Sequence, residues 1–131
     1  MRNEPLGYQI LKEETAISLT DIMRGVVSDP AGTGQRAAFK ALNIPVAGKT
    51  GSTNDAKDLS FIGYTPYYAA GIWSGYDLEN LRTIETSHQA YIQNIWRDVM
   101  EGVHKELNLP EKGFPALPAH ASDAAYTDTP Y

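Results

Sequence analysis

Lys49, Thr50 and Ser52 form the cluster in this 131-residue chain whose types and spacing best suit work on a bound acyl group. They lie in Val46-Ala47-Gly48-Lys49-Thr50-Gly51-Ser52, a short apolar lead that runs straight into Lys-Thr-Gly. A lysine supplies a cation that holds a carboxylate or passes a proton, and a hydroxyl beside it adds a directional hydrogen bond. Read as a strand, alternation puts Val46, Gly48, Thr50 and Ser52 on one face and Ala47, Lys49 and Gly51 on the other. Ala47, Gly48 and Gly51 weaken a strand for no packing gain, which suits a strand with something lying close against it. A strand edge whose amides face an acyl group also offers donors to an oxyanion. Taken alone, the triplet fits a surface strand followed by a glycine bulge better than a functional site.

The other polar residues carry less. His88, His104 and His120 are spread along the chain with no second ligand at metal spacing, so no metal is expected. There is no cysteine, which excludes disulfides, thiolate nucleophiles and Cys-ligated metals. Asp55 and Asp58 flank Lys57 and read as solvated loop charges rather than an acid pair. Gly32-Thr33-Gly34 lacks the length and trailing Gly-Lys-Ser/Thr of a phosphate-binding loop, and reads as a tight turn rather than an anion cradle. Glu101 and Lys105 read as a surface pair four apart on a helix. Tyr64, Tyr67, Tyr68 and Tyr76 either line a groove or pack at a sheet rim. The net charge is -5 and the 11 Lys and Arg are scattered, so no nucleic-acid partner is expected.

The elements that position the cluster follow from periodicity. The length suits one small domain. Residues 1–17 read as an extended lead-in with a short strand near Tyr8 and Ile10. Ser18 caps a helix whose Leu19, Ile22, Met23, Val26 and Val27 mark one buried face, and Asp29-Pro30 ends it. Gln35–Leu42 reads as a short Ala-rich helix. Leu59–Tyr64 and Tyr67–Tyr76 read as an antiparallel hairpin turning at Thr65-Pro66, with Gly63, Gly71 and Gly75 marking bends or tight packing. Thr86 and Gln89 fit a capping box before the last helix. On that helix Tyr91, Ile92, Ile95, Trp96, Val99, Met100, Val103 and Leu107 form one wide apolar stripe, laid across the sheet. His104 falls one position beyond Val103, off the stripe's centre. Residues 108–131 carry Pro110, Pro115, Pro118 and Pro130 and read as an irregular or disordered tail. The first residues have no apolar signal-peptide core, and no run reaches membrane-span length. The expected fold is α/β of the α+β type, antiparallel strands with a C-terminal helix packed on the sheet.

A longer pattern is more specific than the triplet. Val46 to Asp55, then Asp58, then Phe61-Ile62-Gly63-Tyr64-Thr65-Pro66, then Gly71-Ile72-Trp73-Ser74-Gly75-Tyr76-Asp77, resembles the C-terminal part of the transpeptidase domain of bimodular (class A) penicillin-binding proteins. Thr15 to Val27, Gly32-Thr33-Gly34 and Ile95 to Met100 are similar to the flanking regions, so the resemblance covers roughly residues 8–107. It implies a penicillin-binding or serine β-lactamase-like fold, and a role in peptidoglycan cross-linking at the extracytoplasmic face of the cell membrane. In that family a Ser-x-x-Lys serine attacks the D-Ala-D-Ala end of a stem peptide, a Ser-x-Asn motif lies across the cleft, and the Lys-Thr-Gly strand forms the opposite wall.

Carried over, Lys49 belongs to the catalytic polar network. Thr50 and Ser52 bind the carboxylate of the stem peptide or of a β-lactam, the Ser52 N–H donates to the oxyanion, and Gly51 lets the ligand lie along the strand. Ser52 stands where relatives often have Thr, which keeps the hydroxyl. The resemblance implies no cofactor and no metal. Its partners are the remainder of the same domain, peptidoglycan stem peptide and β-lactams, with the membrane reached only through a parent protein.

No serine in the chain is followed by lysine at the third position. Residues 1–107 are therefore expected to be an incomplete portion of the domain, lacking the Ser-x-x-Lys and Ser-x-Asn motifs and inactive alone. The alternative from the same residues is a catalytically inactive module that binds cell-wall peptide or plays a structural part.

Overall fold

The computed structural model describes residues 8–53, 57–75 and 87–117. Helix α1 spans Glu13–Ser28, strands β1, β2 and β3 span Ala47–Ser52, Asp58–Tyr64 and Ala69–Gly75, and helix α2 spans His88–Glu106. The three strands form one antiparallel sheet in the order β1-β2-β3. This is the expected α+β arrangement.

Helix α1 starts earlier than its cap signal suggested. Glu13 and Glu14 occupy the first turn, where negative charge suits the positive end of the helix. Ser18 lies inside the helix and its hydroxyl donates to the Glu14 carbonyl at 2.9 Å, so it is not the cap. Residues 8–12 form no strand. The end is as expected, because Asp29, preceding Pro30, is extended. Of the expected buried face only Val27 is buried, while Leu19 and Ile22 are exposed. The helix packs on β1 and the following turn, and no described element covers Leu19 and Ile22.

Gln35–Leu42 is not a helix. A single 3-10 turn spans Gln35–Ala37, and the chain then departs because the Glu101 carboxylate accepts the Lys40 and Ala41 amides at 3.0 and 2.5 Å. Those amides would have continued the helix. Glu101 is thus buried under the loop rather than paired with Lys105 at the surface.

Opposed residues of an antiparallel pair share a face. The register therefore groups Gly48, Thr50 and Ser52 with Gly63, Phe61 and Leu59, and with Ala70, Ile72 and Ser74 of β3. This face meets α2. Phe61, Leu59, Ile92, Trp96 and Met100 form its core, joined by Val27, Ala37 and Val46. The Phe61 and Trp96 rings meet edge to face at 5.2 Å, and the indole N–H donates to the Ala70 carbonyl at 2.9 Å.

Gly63 makes that approach achievable. A Cβ there would sit 2.7 Å from both Phe61 Cε1 and Trp96 Cζ2. The indole is tethered and has no room to swing, so Gly63→Ala is expected to destabilise the domain by about 1–3 kcal/mol through overpacking. A urea midpoint within error of the parent would contradict this. Gly71 plays no such part, because its nearest neighbour would be Ile62 Cγ1 at an ordinary 3.6 Å.

The stripe on α2 is rotated from its expected centre. Ile92, Trp96 and Met100 face the core, while Tyr91, Ile95, Val99, Val103 and Leu107 are exposed. On the other flank a polar line is buried instead: Gln93, Arg97, Glu101 and His104. Gln93, Arg97 and Glu101 are matched to backbone groups between residues 33 and 41, and His104 to the Thr65 side chain. His104 is 1% exposed. Its Nδ1 lies 2.7 Å from the Met100 carbonyl, so Nδ1 carries a proton and donates. In the neutral ring Nε2 then accepts from the Thr65 hydroxyl, 2.8 Å away. The Thr65 oxygen in turn accepts the Tyr67 and Tyr68 amides, both at 3.2 Å, which fixes the β2–β3 turn.

The capping-box threonine, Thr86, lies outside the described residues. Gln89 reaches across to donate to the Ser60 carbonyl at 3.0 Å. Asn108, in the left-handed region at φ 47°, ends the helix, a conformation Asn tolerates. Residues 109–117 have no regular structure but pack back on the domain. The Tyr67 hydroxyl donates to the Pro110 carbonyl at 2.8 Å, and Phe114 meets Tyr64 edge to face.

Candidate functional site

Strand β1 is an edge strand of the sheet, and its outer edge has no strand partner among the described residues. The ladder decides which groups face that edge. The Thr53 amide donates to the Asp58 carbonyl at 3.1 Å, so Thr53 and Asp58 are a hydrogen-bonded pair. Such pairs alternate along an antiparallel ladder. Lys49 and Gly51 therefore direct their amides and carbonyls toward β2, and Thr50 and Ser52 direct theirs outward. The Ser52 N–H faces the open edge.

Side chains converge on the same edge. Lys49 and Thr50 alternate in face, yet the Lys49 ammonium folds round the strand to donate to the Thr50 carbonyl at 3.0 Å and lies 3.4 Å from Thr50 Oγ1. No carboxylate pairs with Lys49 among the described residues. The ammonium thus retains donor capacity for a ligand. Ser52 lies on the face of Thr50, about 7 Å further along the strand. Gly51 is tight against its cross-strand neighbour, since a Cβ there would sit 2.5 Å from Ser60 Oγ. Thr53 and Asp58 are tied across the end of the β1–β2 ladder: the Thr53 hydroxyl accepts the Asp58 amide at 2.9 Å and donates to the Asp58 carboxylate at 3.2 Å.

A second loop reaches this site, Gly32-Thr33-Gly34, whose sequence alone indicates a tight turn. Thr33 Oγ1 lies 3.0 Å from Thr50 Oγ1. The Gly34 amide bonds the Val26 carbonyl at 2.9 Å and the Gly32 amide bonds the Asp29 carbonyl at 2.8 Å, which folds the loop over the end of α1. From α2, Gln93 donates to the Thr33 carbonyl at 2.9 Å and accepts the Arg36 amide at 3.2 Å. The signal for Gln93 was present as a polar line at helical spacing, 93, 97, 101 and 104, beside the apolar stripe.

The Ser-x-Asn spacing is not absent from the chain, contrary to expectation: it occurs as Ser52-Thr53-Asn54. Its serine is the last residue of β1, the strand that carries Lys49. Asn54 and Asp55 lie outside the described residues.

With that geometry in place, comparison with known proteins decides the family. A model of the penicillin-binding protein transpeptidase domain matches residues 2–101. The chain belongs to the penicillin-binding protein transpeptidase family. Penicillin-binding protein 1A of Clostridium botulinum strain Langeland is 39% identical over 104 residues, 79% of this chain and 12% of that protein. The namesake from Aquifex aeolicus is 39% identical over 102 residues, 77% of this chain and 13% of its own. That of Clostridium acetobutylicum is 32% identical over 128 residues, 98% of this chain and 15% of its own. The chain therefore spans about one-eighth of the length of these penicillin-binding proteins. Among the described residues no helix is long and apolar enough to cross a membrane.

Proposed function

We propose that this chain supplies one wall of a peptidoglycan D,D-transpeptidase cleft, the outer edge of β1. The observation that carries the reading is the convergence of the Lys49 ammonium, the Thr50 hydroxyl and the outward Ser52 amide on an edge with no strand partner among the described residues. In this reading Thr50 and Ser52 hold the D-Ala-D-Ala carboxylate, or that of a β-lactam, by hydroxyl donors. The Ser52 N–H stabilises the oxyanion of the tetrahedral intermediate. Lys49 holds the polar network that passes protons at the reacting centre.

The nucleophilic serine comes from the remainder of the transpeptidase domain, because no serine here begins a Ser-x-x-Lys motif. That remainder is also the partner that packs on the apolar flanks left open by α1 and α2. Leu19, Ile22, Tyr91 and Val99 are 45–69% exposed, an arrangement that suits surfaces closed by further chain. The work is done on the extracytoplasmic face of the membrane, with the anchor in the parent protein.

Intact mass after incubation with a penicillin tests this reading. In the transpeptidase that carries this segment, one drug-sized adduct is expected, on a serine outside residues 1–131. An adduct on a serine of this segment, or none on the assembled domain, contradicts it.

A further inference from the structure

We propose that Thr33 is a positioning residue that turns the Thr50 hydroxyl toward a substrate carboxylate. The inference rests on the proposed role of Thr50 and adds to it a residue from a different loop. A hydroxyl carries one proton and two lone pairs. Among the described residues the Thr50 hydroxyl oxygen has two polar neighbours, the Lys49 ammonium at 3.4 Å and the Thr33 hydroxyl at 3.0 Å. An ammonium only donates, so it never takes the Thr50 proton. That proton has two destinations, Thr33 or the open edge.

When Thr33 donates, its proton occupies a Thr50 lone pair and the Thr50 proton is released to the cleft. A carboxylate arriving there accepts it, and the chain of donors runs Thr33 to Thr50 to carboxylate. Each bond in such a chain polarises the next, so Thr50 becomes a stronger donor with Thr33 behind it.

The loop is built to keep Thr33 in this place. The Thr33 carbonyl is held by Gln93, a 2% exposed amide on α2 whose other end accepts the Arg36 amide. Gly34 is buried, and a Cβ there would meet Val26 and Phe61 at 3.2–3.3 Å, so the backbone sits close against the core. Thr33 itself is exposed, and among the described residues its hydroxyl meets Thr50. Through Gln93 the C-terminal helix therefore sets the aim of a hydroxyl at the cleft.

The test uses the transpeptidase that carries this segment together with its serine. Acylation rate constants are measured for Thr33→Val, Thr33→Ser and Thr50→Val with benzylpenicillin and with its methyl ester, which lacks the anionic carboxylate. Thr33→Val is expected to slow benzylpenicillin about tenfold, the scale of one donor to a charged group, and to leave the ester rate unchanged. Thr33→Ser restores the penicillin rate to within about twofold, because it keeps the hydroxyl. A normal rate in Thr33→Val beside an impaired Thr50→Val overturns the inference alone. Equal losses on acid and ester, or no rescue by serine, make Thr33 merely structural and also overturn it. A normal rate in Thr50→Val removes the carboxylate role of Thr50, and the inference falls with it.

Discussion

Replacing Lys49 with alanine is expected to slow acylation by a penicillin roughly 10²–10⁴-fold, the range for loss of a positioned proton-transfer group. The ammonium has no carboxylate partner among the described residues and donates only to Thr50, so its removal leaves no buried charge behind. The side chain is exposed, and thermal unfolding should shift little. Lys49→Arg separates two contributions. Arginine keeps the charge for a carboxylate but stays protonated and passes no proton. If the ammonium serves only to hold the carboxylate, Lys49→Arg retains most of the rate. If it also serves proton transfer, as the family motif implies, Lys49→Arg stays close to Lys49→Ala. Rapid-quench labelling with a fluorescent penicillin measures both variants. A Lys49→Ala rate within twofold of the parent would remove Lys49 from the site.

The largest expected loss of stability follows Trp96→Ala, about 3–5 kcal/mol by cavity formation. Trp96 is 3% exposed, meets Phe61 edge to face, and donates to the Ala70 carbonyl of β3. Truncation empties the space between α2 and the sheet and removes the indole's bond to β3. The consequence reaches the site as well. Phe61 stands directly opposite Thr50 in the β1–β2 register, and a Cβ on Gly48 would lie 2.6 Å from its ring. A shifted Phe61 therefore disturbs the strand that carries the Lys-Thr-Gly residues. Urea unfolding of the transpeptidase domain reports the first effect and acylation rate the second. A loss below about 1 kcal/mol would mean that α2 does not hold the sheet in this way.

The sheet and both helices were legible because their signals are local. Alternation set β1 and the hairpin to within a residue or two, and Pro30 ended α1 by restricting Asp29. The misreadings share a different cause. Gln35–Leu42 has helical composition, but its amides are taken by Glu101, sixty residues away in sequence. Ser18 has capping chemistry, yet the two preceding glutamates start the helix first.

The stripe on α2 was read as one buried face because apolar spacing alone cannot tell which neighbours are present. Five of its eight residues are exposed, and the buried flank is polar because Gln93, Arg97 and Glu101 satisfy loop backbone and His104 holds the Thr65 hydroxyl. For the site, Lys49, Thr50, Gly51 and Ser52 were evident from sequence as a motif, and their edge placement follows from the register. Thr33 was not, since a threonine between two glycines becomes part of the site only when the loop folds across to β1.

The most direct test of the β1 edge as a cleft wall is a crystal structure of the parent domain acylated by a penicillin. The ligand is expected to lie along β1, its carboxylate within hydrogen-bond distance of the Thr50 and Ser52 hydroxyls and its former lactam carbonyl oxygen on the Ser52 N–H. A ligand bound to an acylated serine with its carboxylate and carbonyl held by other elements, and β1 untouched, would contradict it.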